Sequence, residues 1–186
     1  MTAAIRIANC SGFYGDRLSA AREMVDGGPI DVLTGDWLAE LTMLVLAKNM
    51  LRDPAAGYAR TFVTQMEQVM GDCLARGIKV VSNAGGLSPQ RCAGAVQAVA
   101  DKLGLDPVIA YIEGDDLMPR LAELRAAGAE LRNLDTGEPL GERQVITANA
   151  YLGGWGIADA LARGAGADRQ LQRVLRGPAV GRAGDG

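Results

Sequence analysis

The side chains able to do chemistry in this chain gather in five polar clusters, and the chain contains no histidine at all. The clusters are Asn9-Cys10-Ser11-Gly12-Phe13-Tyr14-Gly15-Asp16-Arg17, Thr34-Gly35-Asp36, Ser82-Asn83-Ala84-Gly85-Gly86, Glu113-Gly114-Asp115-Asp116, and Asn149 through Trp155. Without imidazole, His-based triads and Cys–His pairs are excluded, and a typical zinc site lacks a usual ligand. Acid–base work must fall to carboxylates, Cys, Lys, Tyr or water.

Asp36 and Glu40 stand four residues apart, which places both on one face of a helix as candidate catalytic carboxylates. Asp36 serves equally well as the cap of that helix. Cys10 is the candidate nucleophile, because a thiol beside a helix N-terminus can ionise at a lowered pKa. The competing reading is a small buried thiol, since no His or Lys adjoins it to activate it. Asn9, Ser11, Gly12, Asp16 and Arg17 form the first candidate ligand-binding set, with Arg17 and Arg60 as anion-holding forks. Asn83, Gly85 and Gly86 form a second, Glu113 and Asp115 a third, and Asn149 a fourth. Asn83 and Asn149 could hydrogen-bond a substrate oxygen or simply close Asx turns. Glu113, Asp115 and Asp116 suit either magnesium or helix capping, and no metal ligand set and no cofactor is assigned.

The elements that must position these groups alternate. Ile5–Ala8, Ile30–Thr34, Ile78–Val81, Val108–Ile112 and Gln144–Ala148 have the composition of short strands. Helical spacing runs through Leu18–Val25, Trp37–Leu51, Ala55–Arg76, Ser88–Leu103, Asp115–Ala127 and Gly153–Arg163. Such alternation predicts an α/β fold: an open, mostly parallel, doubly wound sheet with helices on both faces. A TIM barrel needs eight such units, more than are present. In a parallel sheet every one of the five clusters follows a strand and lies on the carboxyl edge, where open α/β proteins bind ligands. The following helix N-termini favour an anionic group there. The first cluster carries neither GxGxxG nor GxxxxGK[ST], which rejects the dinucleotide and Walker readings. Gly and Asp after a strand also serve ordinary turns, so the shared site rests on the five clusters together.

The 186 residues are 48% apolar and 22% charged, with a net charge of −3, which is the make-up of one ordinary globular domain. No basic patch suggests nucleic acid. The longest apolar run, Leu41–Ala47, is interrupted by Thr42 and is too short to span a bilayer. Cys10, Cys73 and Cys92 form no CxxC and leave an odd thiol, so a reducing cytoplasm is expected.

Seven ordered blocks resemble the acyclic terpene utilisation (AtuA-type) family. They are NCSGFYGDR (Asn9–Arg17), IDVLTGDWLAEL (Ile30–Leu41), DPAAGYARTF (Asp53–Phe62), VVSNAGGL (Val80–Leu87), YIEGDDL (Tyr111–Leu117), LDTGEPL (Leu134–Leu140) and NAYLGGWGI (Asn149–Ile157). The resemblance spans roughly residues 4–168 and implies a part in bacterial breakdown of citronellol- or geraniol-type terpenes. It implies a pathway more than a reaction and assigns no catalytic residue.

The expected organisation is a partial N-terminal α/β domain over 1–168 and an Arg/Gly-rich tail over 169–186, which holds four arginines and no strand alternation. Family members continue from this point with an apolar strand, so a truncated or frame-shifted frame, incomplete at the C-terminus, is expected. The resulting expectation is a cytoplasmic protein of terpene catabolism that binds an isoprenoid acid or its CoA thioester at the carboxyl edge. Its partner would be a small-molecule substrate, an acyl-CoA among the candidates, with homo-oligomer formation an open alternative and neither nucleic acid nor membrane involved. Two further readings stand beside it: a non-catalytic subunit of a catabolic enzyme, and a non-functional fragment.

Overall fold

The computed structural model describes residues 4–166. The tail over 169–186 therefore lies outside the described residues. Three strands, β1 (Ile7–Asn9), β2 (Val32–Gly35) and β3 (Lys79–Ser82), form a parallel sheet in the order β1-β2-β3. The register sets Ala8 beside Leu33 and Leu33 beside Val80. These three belong to the core face, and alternation turns Ile7, Val32 and Lys79 to the other. Ile7 is 65% exposed on that second face.

Helices α1 (Ala20–Asp26), α3 (Arg60–Ala75) and α4 (Pro89–Leu103) make one layer over the core face, α3 packing on both neighbours. Two right-handed crossovers that advance in the same direction along a sheet must place their helices on the same side. The layer is driven by apolar spacing: Phe62, Met66, Val69, Met70 and Cys73 of α3 are all buried against Val96, Val99 and Ala100 of α4 and Val25 of α1. Helix α4 starts with proline at its first position, where the missing N–H costs nothing, and ends on left-handed Gly104.

Helix α2 (Glu40–Arg52) takes a different place, across the carboxyl edge. Its Leu46 and Met50 pack onto the Gly86 and Gly57 turns, and a β-carbon on Gly86 would come within 2.5 Å of Leu46 Cδ1 and 2.8 Å of a carbonyl oxygen. Gly86 also has φ +52°, so glycine answers both demands.

The fourth and fifth strands expected from composition do not form among the described residues. Residues 107–112 pair with none of the three strands, and the carbonyl of Val108 accepts from the N–H of Gly166 at 2.9 Å. Residues 148–150 meet Asp115–Leu117 through one antiparallel bridge, Asp116 with Asn149. That pairing holds Asp115 and Asp116 in extended backbone, so the helix expected from Asp115 begins later, as a 3-10 turn at Met118–Arg120 and α5 at Leu121–Ala126. The last described helix is α6, Trp155–Ala162.

Candidate functional site

The turns after β1, β2 and β3 interlock at the carboxyl edge. The N–H of Cys10 donates to the carbonyl of Thr34 at 2.8 Å, and the N–H of Asp36 donates to the carbonyl of Ser11 at 2.9 Å. Asn83 then ties β3 to β2. Its Nδ2 donates to Asp36 Oδ1 at 2.6 Å while its Oδ1 accepts from the Trp37 N–H at 2.9 Å. Asp36 Oδ1 also accepts from the N–H of Leu38 at 3.1 Å. Asp36 thus closes an Asx turn and binds Asn83, and the helix it was expected to cap begins only at Glu40. Gly35 makes this packing possible, since a β-carbon there would lie 2.4 Å from the Trp37 ring. Trp37 is buried edge-on against Phe62, with ring centroids 5.1 Å apart.

The first cluster folds largely onto itself. Asp16 Oδ2 accepts from the N–H of Gly12 at 2.8 Å, and the buried Ser11 hydroxyl donates to the Phe13 carbonyl at 2.9 Å. Asn9 ends β1 at an exposed position. Arg17 turns away to Glu23, at 2.6 Å, and Arg60 to Asp53, at 2.7 Å, so both forks are engaged with carboxylates of their own surface. Glu40 is exposed at the start of α2.

Cys10 is a packing residue in this geometry. It is 4% exposed, and burial pushes its thiol up to about 11. Its sulfur faces Gln65 Oε1 at 3.8 Å. An activated nucleophile needs the opposite environment, a cation or an open helix N-terminus. Burial likewise pushes Cys73 up to about 11 and Cys92 to about 12.

The fourth and fifth clusters meet each other. Asn149 Nδ2 donates to Asp115 Oδ2 at 2.9 Å, and the N–H of Ala150 donates to the Asp115 carbonyl at 2.8 Å. Asp116 Oδ1 accepts from the N–H of Met118, a capping role. Among the described residues, no three His, Cys, Asp or Glu side chains gather where they could hold a metal ion.

A cleft of about 380 Å³ runs beside β3, from Ile78 at its amino end to Asn83 and Asp115 at the turns just described. Its walls are Phe62 and Met66 of α3, Val96 of α4, Val80 of β3, Ile109 and Ile112, and Ile157 and Leu161 of α6. Asn83, Gly85, Gly86 and Asp115 stand at its polar end. A neighbouring cavity of about 420 Å³ shares Gly86 and Asp115 and adds Glu113, Asp116 and Asn149. Of the sequence candidates, the structure therefore brings Asn83, Gly85, Gly86, Glu113, Asp115 and Asn149 around two adjoining cavities. Asp36 stands behind Asn83, while Asn9, Ser11, Gly12, Asp16, Arg17, Cys10 and Glu40 line neither cavity. The apolar walls escaped sequence reasoning, because Phe62, Met66 and Val96 carry the same periodicity as any core residue. The signal available was the uninterrupted apolar run at 108–112, which faces the cleft.

Fold and site together define an open parallel α/β protein with an apolar cleft that runs along β3 from Ile78 to Asn83. The family model described as acyclic terpene utilisation family protein AtuA matches residues 5–167, and the chain belongs to this family. No curated protein and no solved structure matches the chain. No helix among the described residues is long and apolar enough to cross a membrane.

Proposed function

We propose that this protein acts in acyclic terpene catabolism in the cytoplasm by binding an isoprenoid acid or its CoA thioester at the carboxyl edge of the sheet. The observation that carries this reading is the apolar cleft, walled by branched and aromatic side chains, with Asn83 and Asp115 among its polar lining residues. Its volume of about 380 Å³ falls within the range of about 300–1,000 Å³ that small-molecule sites occupy. A methyl-branched hydrocarbon chain gains from burial against such walls, at roughly 25 cal/mol per Å² of apolar surface. Asn83 offers amide chemistry to a carbonyl or hydroxyl at the polar end, and acid–base work there falls to carboxylates.

A thermal-shift screen with geranyl and citronellyl acids and their thioesters tests the reading. Ligand at a hundredfold excess over its Kd stabilises by about 2.7 kcal/mol, which raises Tm by roughly 5–10 °C in a chain of this size. No shift with any of these compounds counts against it.

A second reading is a non-catalytic subunit of a catabolic enzyme. Tyr151, 97% exposed, and Trp155, 86% exposed, favour it by presenting aromatic surface beside the cleft. Co-purification with a dehydrogenase or carboxylase, with no turnover alone, supports this reading, and a lone active enzyme excludes it.

A further inference from the structure

We propose that the cleft accepts an isoprenoid chain behind an uncharged head group (an ester, thioester or hydroxyl) and discriminates against the free carboxylate. This inference rests on the isoprenoid-binding reading above and narrows it to one charge state. Among the described residues lining the cleft, Asp115 carries a charge and no Lys or Arg is present. The adjoining cavity adds Glu113 and Asp116, again without Lys or Arg. The two arginines that the sequence offered as anion forks are paired elsewhere, Arg17 with Glu23 and Arg60 with Asp53.

A carboxylate drawn to the polar end would therefore leave water without gaining a cation from the described lining residues, and would face the negative field of Asp115. The amino end of α4 supplies some compensating positive potential. Its first residue is Pro89, however, which has no N–H to offer. A neutral head group escapes the Coulomb term. It can donate a hydroxyl hydrogen to Asp115, whose half-buried carboxylate is already oriented by Asn149 at 2.9 Å, or accept from the amide of a nearby Asn.

Equilibrium dialysis of the full chain against geraniol, methyl geranate and geranate tests this, because the three share one hydrocarbon skeleton and differ at the head. At about pH 8 the carboxyl of geranate is fully ionised. The expected result is that both neutral compounds bind roughly tenfold or more tightly than geranate, a gap of the size one partly screened charge produces. Asp115→Asn should narrow the gap by strengthening geranate binding, and Glu113→Gln, at an exposed position, should narrow it without touching the core. Geranate binding as tightly as the neutral compounds overturns the charge-state inference and leaves isoprenoid binding standing. Failure of all three to bind overturns isoprenoid binding itself, and the inference with it.

Discussion

At Asn83 a single amide group makes hydrogen bonds in opposite senses, donating to Asp36 and accepting from the backbone of Trp37. An aliphatic residue cannot replace either bond, and a carboxylate would set a second negative charge against Asp36. Asn83→Ala leaves the Trp37 N–H unpaired beside a buried ring, a loss of about 1–3 kcal/mol. Urea unfolding of the variant should show that loss, and an unchanged midpoint would mean the bond is idle. Asn9, which closes the preceding strand, is exposed and offers no comparable lock. Sequence could nominate both asparagines as turn residues with equal force. Only the approach of Asp36 and Trp37, forty-six or more positions away in the chain, separates them.

The elements divide by how local their causes are. Helix α4 was legible to within a residue, because Ser88, Pro89 and Gly104 mark its ends by their own backbone chemistry. Residues 108–112 have the same apolar, branched character as β3, yet a strand exists only where a partner accepts its hydrogen bonds, and here Gly166 takes the carbonyl of Val108. The same contrast holds across the sheet faces. Leu33 of β2 is fully buried beneath the helix layer, whereas Ile7 of β1 is 65% exposed on the other side. Leu33→Ala should cost about 2–5 kcal/mol, and Ile7→Ala should stay within about 0.5 kcal/mol, as surface changes do. Comparable losses at the two sites in thermal unfolding would mean that the second face is covered in solution.

For the whole molecule, acid stability follows from its surface ion pairs. Hydrogen bonds from Arg6 hold Asp31 down to about 2, and those from Arg17 hold Glu23 down to about 2. Both folded-state values lie below those of the unfolded chain. Their stabilisation is therefore complete above about pH 4.5 and is lost as pH falls toward 2. Tm should decline across that window, and the Arg6→Ala, Arg17→Ala double variant should flatten the decline. Added salt should weaken the effect as well, since both pairs are solvent-exposed. A Tm independent of pH over this range would contradict the pairing.

The sequence by itself determined the α/β class, the parallel alternation, the family and the placing of five polar clusters after apolar runs. Each of those rests on short-range causes: periodicity, capping and turn chemistry within a few residues. Tertiary structure decided which clusters share a site, with Asn83 drawn to Asp36 and Asp115 to Asn149, and which candidates turn away, as Arg17 does toward Glu23. It also decided that Cys10 is a buried thiol and that α3, β3, residues 107–112 and α6 line an open apolar cleft. A cleft is made by segments far apart in sequence failing to fill the space between them. No local pattern encodes that shortfall, because a wall residue and a core residue bury the same kind of side chain.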